Sequence, residues 1–115
     1  MAAPTIEQHF ATRAPNVRST YAALVKAAEA LGPVRQEAKK TSIHLVRRTA
    51  FAGVSTRVSW LVLTLKSATD IRSPRVIKRE QASAGRWHLE VRLESPREVD
   101  REIRDWLKKG YEISA

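Results

Sequence analysis

The fold is decided by a run of short alternating segments in the middle of the chain, residues 41–65, which read TSIHLVRRTAFAGVSTRVSWLVLTL. Apolar side chains at every second position are typical of strands that bury one face against a core. Three such segments lie around Ile43, Phe51 and Leu63, and turns of two or three residues separate them. Because connections this short join antiparallel neighbours, the run predicts an antiparallel sheet.

The flanking sequence predicts further strands and three helical segments. Residues 87–93 alternate cleanly, whereas residues 76–81 are rich in charge, as edge strands often are. Apolar spacing predicts helical segments at about residues 5–11, 15–31 and 96–111. The last of these begins with the strongest signal, Ser95 as N-cap, Pro96 as the first helical residue and Glu98 completing a capping box.

Together these elements predict a single α+β domain over residues 1–115. An antiparallel sheet of about five strands, within residues 34–93, is flanked by an N-terminal helical segment and a C-terminal helix that pack on one face. Gly53 is expected to mark a β-bulge. The opposite face of the sheet should carry the other phase of each strand: Ser42, His44, Trp60, Val62, Thr64, His88, Glu90 and Arg92.

The positive charge is concentrated in the predicted sheet. Residues 35–92 hold thirteen Lys/Arg and four Asp/Glu, whereas residues 1–34 have a net charge of +1 and residues 93–115 a net charge of −1. A basic surface of this kind indicates an anionic partner such as nucleic acid. The alternative is a solvated charged rim that keeps the sheet soluble and protects it from aggregation.

Several classes of site are excluded or unsupported by composition and motifs. The chain has no cysteine, which rules out disulfides, thiolate metal sites and cysteine nucleophiles. It has neither a glycine-rich phosphate loop nor a nucleophile elbow, so we expect no catalytic residues, no metal and no cofactor. The longest apolar run is a strand's length, and the N-terminus lacks the features of a signal peptide, so we expect a cytoplasmic protein without membrane contact.

Two histidines and one tryptophan are candidates for recognition. His44 and His88 lie on the polar phase of predicted strands, and, if those strands are neighbours, the imidazoles approach each other near Trp60. Such a pair can bind phosphate, bind a metal together with Glu90 on the same phase as His88, or act as acid and base. The alternative is two partly exposed strand residues with local hydrogen bonds. Trp60 can stack on a base or receive an Arg cation if it faces outward, or it can be buried in an interface or under a loop.

Basic residues complete the predicted binding surface. Arg offers a planar fork for phosphate, and several cations along one surface give affinity that falls with salt. The residues proposed to bind a ligand or nucleic acid are Lys39, Lys40, His44, Arg47, Arg48, Trp60, His88 and Arg92.

Two stretches carry a resemblance to a known family. Residues 39–54 contain a Lys-Lys-Thr entry into a strand and a Phe-Ala-Gly-Val strand, and in residues 86–96 a Trp-His strand runs into a Ser-Pro helix start. With Tyr111 in the last helix, these features resemble the bacterial family known as domain of unknown function 5655, over about residues 5–113. The chain is more distantly similar to small helix–sheet–helix domains of the YdhG-like kind.

The resemblance implies an α+β domain with an antiparallel sheet, and it implies no established activity. Some relatives form the terminal domain of longer proteins that resemble restriction-type nucleases, which favours association with nucleic acid. No catalytic residue is carried over from the family.

The sequence therefore predicts a non-catalytic binding module for an anionic partner, either nucleic acid or a phosphorylated or carboxylated ligand. A second hypothesis is a homodimer or a complex with a partner protein through the open sheet face. A third is a small enzyme with a pocket formed by His44 and His88.

Overall fold

The computed structural model describes residues 3–115, which form six strands and two α-helices. In this part of the chain no helix is both long enough and apolar enough to cross a bilayer. Short 3₁₀ segments at Glu7–Phe10 and Pro96–Glu98 precede the two helices. The elements, in chain order, are α1 Pro15–Glu29, β1 Arg35–Ala38, β2 Ile43–Val46, β3 Ala50–Thr56, β4 Leu61–Ser67, β5 Val76–Ser83, β6 Arg86–Leu93 and α2 Arg101–Glu112.

The six strands form one fully antiparallel sheet with the order β1-β2-β3-β4-β6-β5. The α+β class and the antiparallel sheet are confirmed, and the sheet has six strands where the sequence predicted about five. The charged strand β5 lies at an edge, as its composition predicted. The other edge strand, β1, has the sequence Arg-Gln-Glu-Ala and shows no apolar alternation, because its side chains are exposed or only half-buried.

Both helices cover the same face of the sheet and enclose one hydrophobic core. The core joins α1 and α2 residues such as Leu24 and Leu107 to inward strand residues, and Leu63 pairs across the sheet with Val54 and Val91. Burying such side chains contributes about 1.5–3 kcal/mol each, which is the main free-energy source for the fold. The face opposite the helices is left uncovered and carries His44, Thr64, His88 and Arg92, as the alternation predicted.

A β-bulge lies where β2 and β3 pair, but it is not at Gly53. The pairing register shifts between Leu45 and Val46, opposite the start of β3, and this places both Phe51 and Ala52 in the core. Gly53 pairs regularly with His44 and with Thr64, so the predicted bulge at this glycine is wrong. The irregularity instead turns the Phe51 ring inward, edge-on to Tyr111, with ring centroids 5.2 Å apart.

The C-terminal helix begins later than its capping signal predicted. The Glu98 carboxylate accepts hydrogen bonds from the backbone amides of Glu94 and Ser95, but this turn is a separate 3₁₀ segment. The α-helix α2 starts at Arg101, and its N-cap is Asp100, whose carboxylate accepts from the Ile103 amide at 3.1 Å. The Pro96 signal is therefore correct for a helical turn, while the long helix uses a second cap five residues after Ser95.

Gly110 brings α2 directly onto the backbone of the sheet. A Cβ at this position would lie 2.9 Å from the Lys66 carbonyl oxygen and 3.1 Å from that of Phe51. Both atoms belong to hydrogen-bonded strands and cannot move aside as a flexible side chain can. The last turn of α2 thus meets β3 and β4 at a distance that only glycine permits.

We predict that Gly110→Ala destabilises the protein, although the same change in an exposed helix stabilises by about 1 kcal/mol. Because the added methyl meets rigid backbone of β3 and β4, we expect a cost in the upper part of the range for overpacking, about 2–3 kcal/mol, and hence a net loss of about 1–2 kcal/mol. Chemical denaturation monitored by circular dichroism measures the change. Lys108→Ala, at an exposed position of the same helix, is the matched control, and an unchanged or raised midpoint for Gly110→Ala would contradict the proposed contact.

Arg75 ties the loop before β5 to the start of α2. Its guanidinium lies 3.0 Å from carboxylate oxygens of both Asp100 and Glu102 and donates to the Glu98 carbonyl at 2.8 Å. Partial burial alone would raise the pKa of Asp100, but hydrogen bonds from the Ile103 amide and from Arg75 outweigh it and lower the pKa below its ordinary value of 3.8. The ionised carboxylate is therefore the form that the folded protein favours.

This lowered pKa predicts a loss of stability in acid. The contribution of Asp100 is present above its unfolded pKa near 3.8 and is lost as the pH falls through the lower folded pKa. Asn is as good an N-cap as Asp, so Asp100→Asn should keep the cap, weaken the link to Arg75 and flatten the dependence of stability on pH below about 4. Asp100→Ala should lose about 1 kcal/mol at neutral pH as well. Urea unfolding at pH 2.5–7 tests both, and equal acid sensitivity of wild type and Asp100→Asn would refute this role.

Candidate functional site

The uncovered face of the sheet contains a groove of about 270 Å³ that follows the central strand β3. Outward positions of β3 carry small residues, among them Ala50, Gly53 and Ser55, while the strands on either side carry larger ones. A Cβ built on Gly53 would lie 3.8 Å from the Thr64 Cβ and 3.9 Å from His44 Cδ2, so there is open space above this strand. His44 from β2 and Thr64 from β4 thus face each other across a glycine floor.

One end of the groove is basic. Lys66 and His88 are direct cross-strand partners on β4 and β6, and both line the groove. By strand alternation Arg86 projects from the same face of β6 as His88. Within residues 3–115 neither Lys66 nor Arg86 has a carboxylate within 4.0 Å. The structure therefore brings three nitrogen-bearing side chains together, and the two permanent cations among them form no ion pair within the described residues.

The Lys66 amine is held in place by neutral oxygens. Its Nζ lies 3.1 Å from the Thr49 hydroxyl and 3.1 Å from the Ser114 hydroxyl. Partial burial, and then repulsion from the Arg86 guanidinium, lower the pKa of Lys66. This direction means that the site favours the loss of a positive charge, and a bound anion would relieve the same repulsion.

Carboxylates also occur on this face, Glu90 on β6 and Glu80 on β5. Glu90 forms a 3.9 Å ion pair with Lys78 of β5. Glu80 of β5 is the cross-strand partner of His88 and is exposed, and no cation of the described residues lies within 4.0 Å of it. Glu90 is also the cross-strand partner of Thr64, so the basic end is bordered by acid on β6 and on β5 and is open towards β3.

The two predicted histidines share the groove but do not form a pair. His44 lies on β2 and His88 on β6, with β3 and β4 between them. Three strand spacings amount to about 14 Å, so the expectation that neighbouring strands bring the imidazoles together near Trp60 is wrong. His44 is half-buried and His88 is exposed, so both are accessible from the groove.

Trp60 lies at the opposite end of the face, just before β4. The Arg92 guanidinium stacks over its ring at 4.0 Å from the centroid and also pairs with Glu94 at 2.9 Å. The Trp60 ring is half-buried, and of the alternatives predicted for it the structure shows the cation–π contact with an Arg. Six residues of extended strand separate Trp60 from Lys66, about 20 Å, and Trp60 does not line the groove.

The four basic residues predicted around the first hairpin divide into two places. Lys39 and Lys40 lie in the β1–β2 loop, at the Trp60 end, and Lys39 pairs with Glu37 at 3.4 Å. Arg47 and Arg48 lie in the β2–β3 connection, at the Lys66 end. The eight predicted residues therefore do not form one continuous patch.

Arg47 has a structural role. Its Nη1 donates to the Tyr111 carbonyl at 2.9 Å, at the C-terminal turn of α2, and its guanidinium lies 4.2 Å from the centroid of the Tyr111 ring. The same carbonyl accepts from the Ser114 amide at 3.2 Å, and a cation here adds a charged donor and complements the negative end of the helix dipole. Arg48 is exposed next to it, and its backbone amide donates to the Ser114 carbonyl at 3.2 Å.

Within residues 3–115 no three His, Asp or Glu side chains are placed to hold a metal ion together. His88 and Glu90 are neighbours on β6, but His44 lies on β2, with β3 and β4 between, so the three cannot bind one metal together.

Comparison with known families identifies the domain. A family model described as Domain of unknown function (DUF5655) matches residues 6–114. The chain belongs to this family. No curated protein and no solved structure matches it, and nothing in these comparisons bears on the more distant YdhG-like likeness. Membership confirms the resemblance carried by residues 39–54 and 86–96.

Sequence reasoning missed Lys66 and Arg86 as members of the site. Lys66 follows the alternating residues of β4 and Arg86 precedes those of β6, so each looks like the polar end of its strand. Their association depends on β4 and β6 being neighbours, with β5 outside them, which the order of strands along the chain does not reveal. The run of small outward residues on β3 is a signal that could have located the groove.

The different positions of Arg47 and Arg48 predict different effects of the same substitution. Arg47→Met should destabilise by about 1–2 kcal/mol, because it leaves the Tyr111 carbonyl without its charged donor. Arg48→Met, at an exposed side chain, should change stability by no more than about 0.5 kcal/mol. Parallel denaturant unfolding curves measure both, and equal midpoints for the two variants would show that the contacts of Arg47 contribute nothing.

Proposed function

We propose that this domain is a binding module for a small anionic ligand, held in the groove along β3 with its charge at the Lys66 end. The observation that carries the proposal is the group formed by Lys66, Arg86 and His88. Lys66 and His88 line one end of an open groove, and the Arg86 guanidinium lies close enough to Lys66 to repel its charge. An anion satisfies such a group by charge-assisted hydrogen bonds.

Surface cations that serve only solubility are typically solvated or paired with neighbouring acids. Many cations of this protein fit that description, for example Arg35 and Lys39, which both pair with Glu37. Lys66 differs because its amine is fixed by two hydroxyls, is partly desolvated and lies near another cation. The unfavourable electrostatics of this arrangement support a role in binding.

The size and layout of the groove favour a small ligand over nucleic acid. About 270 Å³ is close to the lower end of the range for small-molecule sites, roughly 300–1,000 Å³. A nucleic-acid surface needs cations that follow the phosphate backbone, whereas here Arg92 is stacked on Trp60 and paired with Glu94. Lys39 is also paired, at the far end of the sheet.

The alternative of self-association through the open face has less support. Val62, which was expected to offer apolar surface there, is only 7% exposed. The large hydrophobic residues that are exposed within the described chain, Val58 and Ile77, lie in the β3–β4 loop and on β5 and do not form one patch.

Titration of the ¹⁵N-labelled protein with inorganic phosphate, at constant ionic strength maintained with chloride, tests the proposal. We expect saturable amide shifts centred on Lys66, Arg86 and His88, and a loss of affinity of about tenfold or more in Lys66→Met, because one charge-assisted contact is worth about 1.5–3 kcal/mol. Lys108→Met on α2 is the matched control and should bind as the wild type does.

Two results would overturn the proposal. One is the absence of saturable shifts at these residues, and the other is equal affinity in Lys66→Met and wild type. Nucleic-acid binding is tested separately, by titrating a labelled single-stranded DNA oligonucleotide and a labelled single-stranded RNA oligonucleotide, each at two salt concentrations. Tight, strongly salt-dependent binding of either that survives Lys66→Met would replace the small ligand with nucleic acid.

A further inference from the structure

We propose that the ligand of the groove is a phosphomonoester with a slim uncharged body, its phosphate at the Lys66 end and its body over Gly53 between His44 and Thr64. This inference rests on the proposed function and adds the class of ligand and its orientation. It follows from two features at different positions along β3, a concentration of charge at one end and a glycine floor in the middle.

The number of donors at the basic end fits a dianion better than a single carboxylate. The Lys66 ammonium and the Arg86 guanidinium each supply a full positive charge without a carboxylate within 4.0 Å, and His88 adds a ring nitrogen. A phosphomonoester carries about −1.5 to −2 charges near neutral pH and three acceptor oxygens. One carboxylate would leave one of the two cations unneutralised and the repulsion between them only partly relieved.

No Lys or Arg lines the middle of the groove, and the next cation, Arg57, lies beyond it in the β3–β4 loop, where it donates to the Ser55 hydroxyl at 2.6 Å. The walls of this middle part are the half-buried His44 and Thr64, its floor is Gly53, and hydroxyls of Ser42 and Ser55 also line it. A ligand that carried charge along its whole length would place part of that charge against these neutral groups. The body of the ligand is therefore uncharged, with polar atoms only where a hydroxyl or an imidazole can meet them.

The geometry of β3 sets the thickness of that body. Strands β2 and β4 flank β3, so side chains on the two walls arise from strands about 10 Å apart. The absence of a side chain at Gly53 leaves the space between His44 and Thr64 open, and any larger residue there would fill it. A flat ring or an extended chain matches this space.

Three probes separate the parts of the proposal: inorganic phosphate, phenyl phosphate and benzoate. Phenyl phosphate presents both the dianion and a flat body, inorganic phosphate only the charge, and benzoate a flat body with one carboxylate. By isothermal titration calorimetry at constant ionic strength and pH 7.5, we expect wild-type protein to bind phenyl phosphate about tenfold or more tightly than either of the others, which is the effect of one good additional contact.

Gly53→Val tests the position of the body. Valine suits a regular strand, and a Cβ at this position makes ordinary contacts of 3.8–3.9 Å, so the fold should be retained and is checked by circular dichroism and thermal unfolding. We expect the variant to lose the tenfold preference for phenyl phosphate while its affinity for inorganic phosphate stays within about twofold, since the basic end is unchanged. If the valine variant is unstable, Gly53→Ala replaces it, and we expect a smaller loss of the same preference for phenyl phosphate.

The outcomes distinguish this inference from the proposed function. If inorganic phosphate binds but phenyl phosphate gains nothing, or keeps its gain in Gly53→Val, the anion site remains and the assignment of a body over Gly53 is wrong. If benzoate binds as tightly as phenyl phosphate, the phosphomonoester class is wrong. If none of the three probes binds the wild type, both the proposed function and this inference fall.

Discussion

The arrangement of the whole domain depends on the contact between the last turn of α2 and the bulged end of the sheet. Gly110 lets the helix approach the carbonyl oxygens of Phe51 and Lys66, and Tyr111, one residue later, meets the Phe51 ring edge-on. The Tyr111 hydroxyl then donates to the Pro33 carbonyl at 3.1 Å and would collide with any side chain at Gly32. Gly32 has a φ of +147°, a region that glycine adopts readily, so the chain that leaves α1 is fixed at the same place.

That contact also positions the basic end of the groove. Beyond α2 the chain returns to the sheet, where the Ser114 carbonyl accepts from the amides of Arg48 and Thr49 and the Ser114 hydroxyl accepts from Lys66. The bulge, the helix C-terminus and the Lys66 amine are therefore parts of one continuous set of contacts. Lys66 has no carboxylate partner to hold it. Its amine is positioned by the hydroxyls of Thr49 and Ser114, whose own backbone groups are hydrogen-bonded to each other.

The features that the sequence predicted correctly are those in which local pattern and tertiary environment agree. Alternation defined β4 and β6 because one face of each is buried under helices, and the charge of β5 predicted an edge because an edge strand has little to bury. The sequence did not single out strand β1, because it makes backbone pairs without burying its side chains.

The site was harder to predict than the fold. His44 and His88 were placed on the correct face, but their separation depends on two intervening strands, and the role of Arg47 depends on where α2 ends.

Charge density along the chain and charge available for binding are different quantities in this protein. The middle of the sequence has a strong excess of cations, yet contacts reached only by folding occupy several of them: Arg75 joins Asp100 and Glu102, and Arg79 joins Asp70 at 2.9 Å. Ion pairs of this exposed or half-exposed kind stabilise a fold by at most about 1 kcal/mol each, but they remove the cation from competition for a ligand. Lys66 and Arg86 form no ion pair among the described residues: Glu90 on β6 pairs with Lys78, and Glu80 lies on β5 opposite His88. Ion pairing elsewhere on the sheet therefore leaves cationic side chains at the end of the groove where the last residues of β4 pair with the first residues of β6.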